Sequence, residues 1–262
     1  MKKFYDFYPI PRSRIATFDV FSVGKQKHHV SALLELDVTE GRRKLKVLKQ
    51  SGLSVSFNAW IIKVISNTIE QHPEAAAFVY NKKKLISFND INISLLIEKE
   101  VEGKRIPLPL VLHKTNEKSI EEISLEIRTA KNQILHGDER LLKQKNNISE
   151  SIYCHLPGFL RRLFWNFMLS HPRMAFKNMG NVAITSVGTL GNVQGWFIHA
   201  SVHPLSLGLA SVIKKPRVVN NAIEIRDILN ITLLFDHDVL DGAPMARFVR
   251  DLNRDIEMGW GL

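Results

Sequence analysis

Apolar residues in this chain recur with two different periods, and the switching between them constrains the fold more than any other feature. Residues 57–70 place Trp60, Ile61, Val64, Ile65 and Ile69 on one stripe. Residues 118–134 place Ile120, Ile123, Ile127, Ala130 and Ile134 at alternating steps of three and four, and residues 243–257 repeat the pattern with Met245, Phe248, Val249, Leu252 and Ile256. Such steps collect side chains on one side of an α-helix. Between these segments lie short β-like runs at 30–37, 91–97, 106–112, 182–187, 205–213 and 228–235. Asn220–Asn221, between PRVV and AIEI, predicts a hairpin turn. Strands and helices mixed without a regular βαβ rhythm predict an α/β sandwich with a mixed sheet.

The 262 residues carry a formal charge of +10, but Lys and Arg are dispersed in short groups such as Arg42–Arg43–Lys44, Lys82–Lys83–Lys84 and Lys214–Lys215. No zinc-finger spacing, aromatic RNA-binding string or long basic tail accompanies them, so nucleic acid is not an expected partner. The first reading is solvated surface, and the second is help with an anionic small molecule. Cys154 is the only cysteine, which excludes an internal disulfide and a thiolate metal site. His28, His29, His199 and His203 lack the spacing and carboxylate of a zinc site, so no metal is expected. No apolar run reaches the roughly 18 residues of a membrane span. The opening MKKFYDFYPIPR lacks the apolar core of a secretory signal, so a cytoplasmic location is expected.

Residues 138–180 stand apart: a polar start (GDERLLKQKNNISES) gives way to an apolar, basic stretch (HLPGFLRRLFWNFMLSHPRMAFKNMG). Phe159, Leu163 and Phe167 with Leu160, Phe164 and Met168 give a wide apolar helix face beside Arg161 and Arg162. Packing on the core or another subunit, a lid over an acceptor pocket, and an interfacial membrane contact are all open to it.

FDHDVLDGAP follows a β-like run and precedes a helix, which puts His237 at a strand end where a rigid element can aim it. Asp241 falls where the helix begins, suited to an N-cap and dipole role. Gly242 permits a tight turn or a close backbone approach. A lone histidine at a strand end is most often structural; the whole motif favours a catalytic one.

FDHDVLDGAPMARFVRDL resembles the terminal motif of the 2-oxo acid dehydrogenase acyltransferases, the dihydrolipoamide acyltransferase catalytic domain, whose fold is shared with chloramphenicol acetyltransferase. The resemblance runs through RSRIATFDVFSVGKQKHHVSALLELDVT (opening arm and first strand), LSVSFNAWIIKVISNTIEQHPEAAAFV (first long helix), DINISLLIE, KRIPLPLVLHKTNEKSIEEISLEI and GNVAITSVGTLG. It implies a two-layer α/β sandwich of the chloramphenicol acetyltransferase type. It also implies acyl transfer between acyl-CoA, as substrate, and a thiol or hydroxyl acceptor such as a carrier-bound lipoyl group. His237 would be the general base, a task for which histidine's titration near neutrality is suited. A hydroxyl on the GNVAITSVG strand would stabilise the oxyanion. Ungapped spacing from His237 selects Thr185, with Ser186 the alternative; successive strand side chains face opposite ways, so only one can point into the site. In the family the carboxylate matching Asp241 holds the histidine loop and pairs with an arginine of the arm, here Arg12 or, alternatively, Arg14. The resemblance further implies a homotrimer, or a larger assembly of trimers, in which His237 of one subunit faces Thr185 of the next.

Four departures bear on the acceptor. The resemblance starts at Arg12, so the expectation is a single catalytic domain over 1–262 without a lipoyl or subunit-binding domain, carrying an inserted helical segment at 138–180. Asp238 stands where the family usually has arginine, and SVHPLSLG replaces the usual polar-flanked proline step. Asp238 and the apolar 158–169 helix also motivate an alternative reading, a non-catalytic trimeric scaffold that kept the fold and lost the chemistry.

Overall fold

The computed structural model describes residues 4–8, 10, 13–101, 104–132, 153, 155–188 and 194–262. The expected helices form as α3 (Phe57–Gln71), α4 (Ile120–Asn132) and α7 (Gly242–Glu257). Ile134, at the end of the predicted 118–134 helix, lies outside the described residues. Within α3 the side chains of Trp60, Ile61, Val64, Ile65 and Ile69 are buried, and the Ser56 hydroxyl caps the helix by accepting from Ala59 N at 3.2 Å. Two helices were not anticipated. The opening arm is helical as α1 (Ser13–Gly24), and α2 (Thr39–Gln50) buries only Gly41 and Leu45. Five polar or charged residues among its first six, TEGRRK, mask its period of 3.6 from a hydrophobicity count.

Six strands form one mixed sheet: β1 (His29–Asp37), β4 (Ile93–Val101), β5 (Lys104–Leu112), β6 (Val182–Ser186), β7 (Leu205–Val219) and β8 (Ala222–Asp236), in the spatial order β1-β8-β7-β6-β4-β5. Only the β7–β6 and β6–β4 pairs are parallel. A separate two-stranded hairpin pairs β2 (Phe78–Tyr80) with β3 (Lys84–Ile86). The β7–β8 hairpin is longer than the apolar runs suggested, because its distal half is exposed. Its turn falls at Asn220 and Asn221, both with positive φ (48° and 63°), the conformation a tight two-residue hairpin requires.

Alternate residues of the central strands, among them Val182, Ile184, Leu205, Leu207, Leu209, Ile231, Leu233 and Phe235, join α3, α4 and α7 in one buried core. This is the expected two-layer sandwich. The segment before β6 contains α5 (Gly158–Ser170) and α6 (Pro172–Met179); of the 138–180 stretch, residues 138–152 and Cys154 lie outside the described residues. No helix among the described residues is long and apolar enough to cross a membrane.

Gly41 shows how closely the helical layer is packed. A Cβ there would overlap the indole of Trp60, which is fully buried and donates from Nε1 to Trp260 O at 2.9 Å. Gly41→Ala is expected to cost about 1–3 kcal/mol through overpacking, read as a lower urea midpoint. An unchanged midpoint would contradict this packing.

Candidate active site

His237 follows the last residue of β8, a strand whose residues from Ile228 to Asp236 are all buried. Its backbone is fixed on both sides: Asp236 N donates to Pro204 O and His237 N donates to His28 O, each at 2.9 Å. Asp236 turns its carboxylate inward, 1% exposed, where Lys27 Nζ and Asp238 N (3.2 Å) donate to it. The Asp236 carbonyl accepts from Val239 N and Leu240 N and closes the turn. Burying a carboxylate without such partners is costly, so this pairing fixes the loop that carries His237. Neither Asp236 nor Lys27 was singled out from the sequence; the sign available was an aspartate ending the apolar run ILNITLLF.

The His237 imidazole is half exposed, and its Nδ1 lies 4.0 Å from Asp241 Oδ1, beyond hydrogen-bond distance. Asp241 occupies the N-cap position of α7, but its side chain makes no capping hydrogen bond and is 88% exposed. Gly242 opens α7, and a Cβ there would meet nothing within 4 Å, so no close approach inside the protomer demands glycine. Arg12 lies outside the described residues, and Arg14 is exposed in the first turn of α1. Asp238, the residue after His237, lies with Oδ1 3.0 Å from His28 Nδ1.

Thr185 is held by a different part of the sheet. Gly180, with φ +78°, ends α6 where a Cβ would run into the Asn92 carbonyl. Asn181 then exchanges hydrogen bonds with the Asn92 backbone at 2.9 and 3.0 Å, and this sets β6 in register with β4. Val182 and Ile184 point into the core, so Thr185 faces the opposite side of the sheet and Ser186 shares the side of Ile184. Across the strands Thr185 is level with Gly208, and Gly208 with Thr232. His237 lies five residues beyond Thr232. That is roughly 16 Å along the strand and about 10 Å across it at ordinary strand spacings. One protomer therefore does not bring His237 and Thr185 together.

His199, weighed from the sequence only as a metal ligand, stands over Gly208. Its Nδ1 is 2.9 Å from where a Cβ would be, and its Nε2 is 2.6 Å from Ser206 Oγ. Among the described residues its buried Nδ1 has no partner, nor do Asn230 Oδ1 and Thr232 Oγ1. Burial, with His29 nearby, lowers the His199 pKa to about 4; burial lowers that of His203 to about 4 as well. Among the described residues no group of three or more His, Cys, Asp or Glu side chains could hold a metal ion.

A cleft of roughly 900 Å³ opens beside the end of β6. Thr39, Arg42, Arg43, Lys46 and Lys49 of α2 form one wall, and Gly188 with Ser211 and Val212, at the β7 register shift between Leu209 and Val212, form another. Arg42 and Arg43 pair with Asp227 and Glu40, while Lys46 and Lys49 are exposed.

A family model described as 2-oxoacid dehydrogenases acyltransferase (catalytic domain) matches residues 8–145 and 174–261. The lipoamide acyltransferase component of the branched-chain alpha-keto acid dehydrogenase complex of Bacillus subtilis is 24% identical over 237 residues, 87% of this chain and 46% of that protein. The dihydrolipoyllysine-residue acetyltransferase component of the Rickettsia prowazekii pyruvate dehydrogenase complex is 26% identical over 231 residues, again 87% and 46%. The chain thus spans about half the length of these relatives. In fold it is similar to a probable dihydrolipoamide acetyltransferase from Listeria monocytogenes (TM-score 0.70, 23% identity, 98% of this chain and 96% of that one). It is also similar to the dihydrolipoamide acetyltransferase of Azotobacter vinelandii (0.68, 16%, 98% and 93%) and to chloramphenicol acetyltransferase (0.53, 13%, 98% and 100%).

The two buried imidazoles predict a pH dependence of stability. Their folded pKa values lie below the unfolded value near 6.5, so as pH falls the unfolded chain binds protons first. The stabilisation is complete above about pH 6.5 and is lost progressively toward pH 4. The urea midpoint should fall between pH 7 and pH 5, and less steeply in His203→Gln; a flat parental profile would contradict the burial of these rings.

Proposed function

The chain belongs to the 2-oxoacid dehydrogenase acyltransferase (catalytic domain) family, and on that premise we propose that it moves an acyl group between a CoA thioester and a thiol or hydroxyl acceptor. The observation that carries this reading is the half-exposed His237 imidazole, fixed at the end of a buried strand with Nδ1 4.0 Å from Asp241. Nε2 takes the proton of the acceptor thiol or hydroxyl, and the acceptor atom bonds to the thioester carbon. Thr185 donates its hydroxyl hydrogen to the resulting oxyanion. Collapse breaks the bond to the CoA sulfur, and the departing thiolate recovers the proton from the imidazolium.

The offsets between residues support these roles. In the Azotobacter vinelandii protein a serine, a histidine and an asparagine have been investigated for their role in the catalytic mechanism, and Thr185, His237 and Asp241 stand at the same sequence offsets from one another. The separation of His237 from Thr185 within one protomer supports a site built between subunits of a homotrimer. The chemistry of CoA supports the cleft beside α2 as the seat of its phosphates, since Lys46 and Lys49 face it and Thr185 lies three residues before Gly188 at its edge. The relatives' names make a dihydrolipoyl thiol the first acceptor to try.

His237→Ala should lower kcat by roughly 10²–10⁴-fold, followed as thiol release from acetyl-CoA with dihydrolipoamide as acceptor; parental turnover in this variant would remove the reading. Thr185→Val should lower kcat by about 10²-fold or more with little change in KM, while Ser186→Ala should stay near parental. Lys46→Glu with Lys49→Glu should raise the KM for acetyl-CoA by about tenfold, more at low salt than at high; an unchanged KM would move the CoA phosphates elsewhere.

A further inference from the structure

The helices that precede β6 turn an apolar, basic face to solvent. α5 lies within residues 146–173, where the family match is interrupted. One side of α5 is engaged: Arg161 Nε donates to Asp19 at 2.6 Å, Trp165 Nε1 donates to the Tyr153 hydroxyl at 2.8 Å, and Met168 is buried. The other side carries Phe159, Leu160, Leu163, Phe164 and Phe167, between 38% and 62% exposed. At 3.6 residues per turn these five fall within an arc of about 140°. Arg162 is exposed beside that arc, and α6 turns Arg173, Met174 and Lys177 outward. From Gly158 to Met179 the sequence contains no Asp or Glu.

So many large apolar side chains in one exposed arc mark a contact surface rather than ordinary solvated surface. The same face of a second copy is a poor occupant, because an isologous contact would crowd Arg162, Arg173 and Lys177 of both copies without a carboxylate on either helix pair. A protein partner would have to supply an acidic groove, since Phe159 and Leu163 stand out from a convex helix. An anionic lipid layer meets both demands: the arc sinks to the boundary of the acyl chains while the cations stay among the headgroups. We infer that α5 and α6 dock the protein peripherally on an anionic lipid surface. This contact lies in the interface, and it does not depend on the acyl-transfer reading.

The test is sedimentation of the full chain with vesicles of phosphatidylcholine alone and of phosphatidylcholine mixed with phosphatidylglycerol. The protein should partition onto the mixed vesicles at least about tenfold more than onto the neutral ones, and added salt should weaken that binding. Leu163→Glu with Phe167→Glu should reduce binding to the mixed vesicles by at least about tenfold, with an unchanged thermal midpoint because both side chains are exposed. Arg162→Glu with Arg173→Glu should do the same. The proposal is overturned if the parent protein ignores anionic vesicles or binds both kinds equally. It is also overturned if the Leu163/Phe167 change abolishes self-association, or capture of a soluble acidic protein, in a parent that does not bind vesicles. The comparison of vesicle types with the parent protein stands even where a variant fails to fold.

Discussion

At the end of β8 the Asp236 carboxylate is taken out of water, and the groups that compensate for that burial also hold the candidate base. Lys27 supplies the positive charge from the segment joining α1 to β1, and the Asp238 backbone supplies a second donor. Those partners tie the N-terminal arm to the histidine loop, while the His28 carbonyl holds His237 N directly. His237 is therefore aimed by backbone and by a buried ion pair rather than by a bond from its own ring. Asp241, 4.0 Å away and largely exposed, acts on the imidazole at most through the field of its charge.

Thr185 depends on a separate device, the glycine at 180 and the paired asparagines 92 and 181 that align β6 with β4. A sheet with one face packed on helices cannot slip its register by one residue without turning its apolar side chains toward water. The separation between Thr185 and the end of β8 is thus a rigid property of the fold. If both groups act on one thioester, the site must take each from a different copy.

Much of this was legible in the sequence where burial is one-sided. The stripes in α3, α4 and α7 announced themselves because each helix buries one face or nearly all of itself. The asparagine pair announced the hairpin because both residues tolerate positive φ. α1 and α2 were missed for the opposite reason. α2 buries only two residues, one of them a glycine chosen for its closeness to Trp60, and such a residue adds nothing to a hydrophobic pattern. His237 and Thr185 could be located by motif and spacing. Asp236, Lys27, His28 and His199 could not, since their significance lies in contacts between segments far apart in the chain, such as Lys27 with Asp236 and His199 over Gly208.

The most direct test of a site shared between copies is complementation between two inactive chains. Co-expressing His237→Ala with Thr185→Val should give mixed assemblies in which about a quarter of the sites combine an intact histidine with an intact threonine. Acyl transfer should then return to about a quarter of the parental rate, although each variant alone is inactive. A mixed preparation no more active than the sum of its parts would contradict the account and return both residues to one protomer.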